Sequence, residues 1–179
     1  MAQSDRPAQA PAAGTAASID AEELRRRAAL AKQVSSSFGD IVTLLMRSET
    51  ERGRTIGDLE WMVIPALQTG QFAVAEAQSK DTGIVAPMGA VLWAMVSETI
   101  DRRLSASPDQ PLKLEPADWR SGQIPWIIAA FGEPKVVGGL LQQLAKTVFT
   151  AEPAKLRARG EDGKPCIARL EFKPKPQTG

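Results

Sequence analysis

No histidine and no tyrosine occur among the 179 residues, and cysteine occurs once, at Cys166. The missing histidine removes the Ser-His-Asp triad, the Cys-His dyad, the H-E-x-x-H zinc helix and any Cys/His zinc centre, so no metal site is expected. A lone thiol cannot close an internal disulfide, which points to a reducing compartment, the cytosol. Acid–base work falls to Asp, Glu, Lys or Cys166. An excess of one charge sign is lacking too: 22 Lys and Arg stand against 21 Asp and Glu, and no nucleic-acid or anionic-membrane partner is expected from that total. The longest apolar run, Ile84 to Val96, is interrupted by Pro87 and Gly89. It is too short to span a bilayer as a helix and reads as a buried strand. The opening stretch MAQSDRPAQAPAAG has no basic segment leading into an apolar core, so no secretory signal is expected and the protein should remain cytoplasmic.

What is present fits one soluble domain, with 43% hydrophobic and 24% charged residues. Residues 1–18 are Ala, Pro, Gln, Ser and Gly with almost no large apolar side chain, a composition that cannot offset ordering entropy. Asp20 then caps an Ala-, Glu- and Arg-rich helix ahead of Glu23. This gives a disordered leader and exposed helix over residues 1–35, a domain over 36–174 and a tail over 175–179. Charge is uneven along the chain. Residues 153–179 carry seven basic side chains (Lys155, Arg157, Arg159, Lys164, Arg169, Lys173 and Lys175) against three acidic ones, either a solvated strand face or a docking patch for an acidic partner.

Helical spacing recurs at Ile41, Leu44 and Leu45 after Asp40, and again at Ile56, Leu59, Met62, Val63 and Leu67. Thr55 and Asp58 form a capping box before the latter, and Thr69-Gly70 ends it. Runs Gln71 to Ala77 and Ile84 to Val96 flank a polar turn and form a hairpin. A short helix from Ser97-Glu98 to Leu104 follows, then a loop, an apolar strand from Ile124 to Phe131, a helix from Val136 to Phe149, and a second hairpin around Gly160-Glu161-Asp162-Gly163. The order implies an α+β fold, one mixed sheet with helices packed on it.

The unit Trp126 to Phe149 is strand, short Gly/Pro loop and helix, a junction that aims backbone N–H groups at one point. Gly138 and Gly139 either permit close approach of a pantetheine arm or simply allow tight packing, and Lys135 offers a charge for a phosphodiester. Trp61, Trp93, Trp119 and Trp126 are candidates for an acyl pocket or for plain core. Cys166, in a strand with no histidine to activate it, reads as a structural thiol.

The segments Gly39-Asp40, Ser48-Glu49-Thr50-Glu51-Arg52, Ile64-Pro65-Ala66-Leu67-Gln68, Gln71-Phe72, Trp93, Asp118-Trp119-Arg120-Ser121-Gly122 and Ala129-Ala130-Phe131-Gly132 resemble those of the toxin-activating lysine acyltransferases. These are the hemolysin-activating enzymes that acylate RTX protoxins. The resemblance spans Phe38 to Phe172, its most specific pieces being Pro65-Ala66-Leu67-Gln68 and the D-W-x-S-G motif. It implies a single domain related to the N-acetyltransferase (GNAT) superfamily. It also implies transfer of a fatty acyl group from acyl carrier protein to internal lysines of an RTX-type protein, with no bound cofactor. A homodimer is left open.

In that family a histidine after the first helix acts as base, assisted by an aspartate in the strand before the Phe-Gly pair. Counting without gaps from Pro65 puts Glu51 at the histidine position, and counting back from Phe131-Gly132 puts Trp126 at the aspartate position. Glu51 is the candidate base, acting on the lysine directly or through water, and Trp126 reshapes the site. Gly132, Lys135, Gly138 and Gly139 are expected to receive the pantetheine. Two other readings stay open: a homologue without catalysis that binds carrier protein or protoxin, and a small-molecule N-acetyltransferase using acetyl-CoA.

Overall fold

A computed structural model describes residues 20–110 and 112–170. The leader at 1–18 and the tail at 175–179 lie outside the described residues. The chain divides into two compact units, Met1–Gln33 and Val34–Gly179. In the first, the start of helix α1 (Ala21–Arg47) carries an exposed Glu23–Arg27 ion pair one turn apart and exposed Leu24 and Leu30.

The second unit contains the rest of α1, then α2 (Ile56–Met62), α3 (Ile64–Thr69), β1 (Phe72–Gln78), β2 (Val85–Val96), α4 (Glu98–Ala106), a 3-10 turn at Pro116–Trp119, β3 (Ile124–Gly132), α5 (Pro134–Thr147), β4 (Lys155–Arg159) and β5 (Pro165–Arg169). The five strands lie in chain order in one sheet. All neighbours are antiparallel except β3 and β4, which run parallel. The α+β architecture, a mixed sheet flanked by helices, agrees with the expectation and is consistent with a GNAT-like acyltransferase.

Two elements differ from the sequence reading. No break separates an exposed N-terminal helix from one beginning after Asp40: α1 is continuous through Gly39-Asp40. Val34, Phe38, Ile41 and Leu45 fall at i, i+4, i+7 and i+11 and enter one core, so packing of this stripe overrides the weak helix propensity of Gly39 and Asp40. The helix expected from Ile56 to Leu67 is instead two, divided at Val63. Pro65 has no N–H to continue the ladder and suits the first turn of a new helix.

The sheet is buried on both faces. Along β2, Ala90, Leu92, Ala94 and Val96 join the core formed with α1, α2 and α3, while Val91 and Trp93 join a second cluster with Leu144 of α5 and Phe149. That two-sided burial explains the apolar run from Ala90 to Val96, while Ile84 and Val85 at the start of the longer run are exposed. Trp93 meets the Phe149 ring edge-on, with centroids 5.9 Å apart.

The D-W-x-S-G motif fastens the chain before β3 to the end of β2. The Asp118 carboxylate accepts from Arg103 Nη2 at 2.8 Å and from the Glu115 amide at 3.2 Å. Ser121 Oγ donates to the Asp118 carbonyl and accepts from the Ser97 amide, each at 2.9 Å. Trp119 is fully buried. At Gly122 a Cβ would collide with the Val96 carbonyl and lie 2.6 Å from Ser97 Cα, so only glycine permits this approach.

The capping box anticipated at Thr55 is present. The Asp58 carboxylate accepts from the Thr55 amide at 2.8 Å and from Trp61 Nε1 at 3.3 Å. The bonds from Thr55, backbone first, hold the Asp58 carboxyl below its ordinary pKa. A depressed carboxylate contributes stability that is complete above the unfolded value of about 4 and is lost as pH falls through the folded one. Asp58→Asn should therefore flatten the acid limb of the stability–pH curve below about pH 4, measured by urea melts across pH. Gly122→Ala should destabilise the fold by about 1–3 kcal/mol in the same melts, because backbone, not a flexible side chain, occupies the space.

Candidate functional site

Strands β3 and β4 pair at one position only, Trp126 with Lys155. Beyond that pair the C-terminal half of β3 has no ladder to β4, so the sheet opens towards Gly132. β3 also carries an extra residue, Ile128, between the pairs Trp93 with Ile127 and Leu92 with Ala129. Such a bulge bends the strand and increases its twist.

The closed end of this opening is held by side chains. Asp101 of α4 accepts from Lys155 Nζ at 2.7 and 2.8 Å and from Trp126 Nε1 at 2.8 Å. Trp126 is fully buried, so at the position where the resemblance implies an aspartate this chain has an indole bonded to a carboxylate from another element. Arg157, next along the same face of β4, donates to the carbonyls of Ser107 at 3.0 Å, Leu104 at 3.4 Å and Gln110, which closes the C-terminal end of α4. Burial lowers the Arg157 pKa, opposed by the charge of Asp109. The first two basic residues of the C-terminal run are thus spent inside the fold, whereas Arg159, Lys164 and Arg169 are exposed.

By Gly132, at the end of β3, lies a cavity of about 260 Å³ lined by Leu44, Arg47, Ser48, Pro87, Met88, Gly132 and Glu133. Three elements build it. Helix α1 ends here, bringing Leu44, Arg47 and Ser48. Strand β2 has its own bulge: Ala75 pairs with Gly89 and Glu76 with Pro87, which leaves Met88 as the extra residue. The freed Met88 carbonyl accepts from the Glu133 amide at 2.8 Å. Gly132 makes this approach possible, with φ +116° and no room for a Cβ against the Met88 carbonyl and Gly89 Cα. Arg47 Nη1 reaches the Pro87 carbonyl at 3.4 Å, and Ser48 Oγ lies 3.1 Å from Thr50 Oγ1.

Of the residues singled out from the sequence, Gly132 lines this cavity. Glu51 does not line it; it lies in the turn after α1, its side chain 24% exposed and its carboxylate ion-paired with Arg54. Lys135 is exposed at the start of α5. A Cβ added at Gly138 or Gly139 would meet nothing within 4 Å, so no packing among the described residues requires either glycine. The four tryptophans belong to the cores rather than to the cavity wall, and Cys166 is a partly buried free thiol on β5. Sequence reasoning missed Arg47, Met88 and Glu133. The Met88 bulge has no sequence signal. Glu133 was visible beside Gly132, but a search for phosphate-binding groups favours lysine and glycine over a carboxylate.

A family model for the RTX toxin acyltransferase family matches residues 30–171. The chain belongs to that family. The match covers α1 from its second half onward, both ends of the sheet opening and the cavity. A comparison with curated proteins finds no match. Membership makes this an RTX toxin acyltransferase family domain, with toxin activation as the family-level function. No described helix is long and apolar enough to cross a membrane, and no described cluster of Cys, Asp or Glu could hold a metal ion.

The Asp101 network and Gly132 each yield a test. Asp101→Ala leaves a mostly buried ammonium and a buried indole N–H without their acceptor and should cost about 3 kcal/mol in denaturant melts; Asp101→Leu with Lys155→Met should recover part of it. Gly132→Ala should lower stability by about 1–3 kcal/mol through the strained φ.

Proposed function

We propose that this acyltransferase takes a fatty acyl group from acyl carrier protein and transfers it to lysine side chains of an RTX-type protein. The observation that supports the reading best is the cavity itself, which has Arg47 and Ser48 from the end of α1 and Glu133 from the start of α5 among its lining residues. Acyl transfer to an amine asks for that polarity: donors for the carbonyl oxygen of the tetrahedral intermediate and an acceptor for the amine protons. The amine nitrogen forms the new N–C bond, the thioester C–S bond breaks, and the amine's proton passes through the base while the thiol leaves protonated.

A carrier-protein donor suits the start of α5 better than coenzyme A does. Pro134 at the first helical position has no N–H to offer, and the Glu133 carboxylate is adjacent. A diphosphate would meet that negative charge, whereas a carrier-protein arm brings a single phosphodiester, for which exposed Lys135 is available. The arm would lie over Gly138 and Gly139, where an added Cβ would meet nothing within 4 Å among the described residues, with its thioester reaching Gly132. Glu51 is proposed as the base from its register with Pro65. This reading puts the reaction in the cytoplasm. A second reading, a binding module for carrier protein or protoxin, is favoured by the buried Trp126 indole at the family's aspartate position.

Incubation of the protein with long-chain acyl carrier protein and an RTX substrate should yield acyl-lysine by mass spectrometry. Glu51→Gln should lower the rate by about 10²-fold or more if Glu51 is the base. No acyl-lysine from the wild type, with retained binding of either partner, would establish the binding-module reading instead.

A further inference from the structure

Among the described residues that line the cavity, Glu133 is the only carboxylate. Its backbone is fixed on both sides: its amide donates to the Met88 carbonyl at 2.8 Å, and its carbonyl accepts the first bond of α5 from the Val137 amide at 3.0 Å. Gly132, held at φ +116°, allows no other residue to set this geometry. The side chain, by contrast, is unspent. It is exposed, makes no capping bond to α5, and forms no ion pair among the described residues.

The cation nearest in the lining, Arg47, directs Nη1 to the Pro87 carbonyl and is not paired with Glu133. Glu51 presents the opposite case, a carboxylate already neutralised by Arg54. A negative group anchored through its backbone at the lining of a cavity, with no ion-pair partner among the described residues, is placed to bind a cation from outside the chain. A charge-assisted N–H···O bond is the strong interaction available to it.

Resting on the acyltransferase reading above, we propose that Glu133 is the acceptor-binding residue of the cavity, receiving the ammonium of the incoming lysine and directing its nitrogen towards the acyl carbon at Gly132. The residue then acts before any bond changes. Its loss weakens acceptor binding, while the donor thioester is bound as before.

The test uses the full chain and two probes, a short peptide with one lysine and the same peptide with that lysine Nε-acetylated, titrated by calorimetry without any acyl donor. Wild type should bind the free-lysine peptide about tenfold or more tighter than the acetylated one. Glu133→Gln should abolish that preference, and Glu133→Asp should keep most of it. In the transfer assay Glu133→Gln should raise the KM for the acceptor about tenfold, with hydrolysis of the acyl donor by water unaltered. An equal preference in wild type and Glu133→Gln, or no preference in wild type, overturns the assignment. Because these titrations need no turnover, a wild type that binds the lysine peptide through Glu133 yet forms no acyl-lysine refutes the transferase reading alone.

Discussion

Strands β3 and β4 are paired in the sheet at one position, Trp126 with Lys155, and the Asp101 carboxylate joins both residues to α4. Parallel strands need a long crossover between them, and here α5 supplies it. Because the ladder does not continue past Trp126 and Lys155, the backbone groups of β3 towards Gly132 are left to other partners or to a ligand. Lys155 and Arg157, on the same face of β4, anchor it to the side and the end of α4 respectively.

A second constraint acts at the other end of the opening. The bulge at Met88 releases one carbonyl from the β1–β2 ladder, and that carbonyl captures the Glu133 amide. The two bulges, at Met88 in β2 and at Ile128 in β3, lie on strands that pair with each other. Each bends its strand and increases the local twist. The D-W-x-S-G motif complements the bulges, since its hydrogen bonds and the close approach at Gly122 fix how β3 enters the sheet. It is a joint, and its specificity as a sequence signal comes from steric and hydrogen-bonding demands on each residue.

Trp126 shows how a substitution at one position is absorbed by neighbours. An indole in the core would bury an N–H without an acceptor, at a cost comparable to a lost hydrogen bond. Asp101 supplies the acceptor and is itself balanced by Lys155, so three residues from three elements form one satisfied polar group. Glu51 is absorbed differently, by Arg54 three residues on. Both positions that the family resemblance marks are therefore tied into local contacts, and the carboxylate left free at the cavity is a third one, Glu133.

The element order, the two hairpins, the capping box at Thr55 and the two-faced burial of β2 were legible in the chain because each rests on local propensity or on periodicity within one segment. Family membership was legible for a similar reason: Pro65, Asp118 to Gly122 and Phe131-Gly132 are constrained by turns and close contacts that tolerate few residues. The continuity of α1 was hidden, since Gly39 and Asp40 argue for a break and only burial of Phe38 and Ile41 outweighs them. The candidate site was hidden for a stronger reason. Its walls come from the end of α1, a bulge in β2 and the start of α5, and neither a bulge nor the single pairing of β3 with β4 has a pattern in the sequence. Sequence alone determined which chemistry the chain lacks, no histidine and one thiol; only the tertiary structure decided which carboxylate lines the cavity, because among the described residues the fold supplies charged partners for Glu51 and Asp101 and none for Glu133.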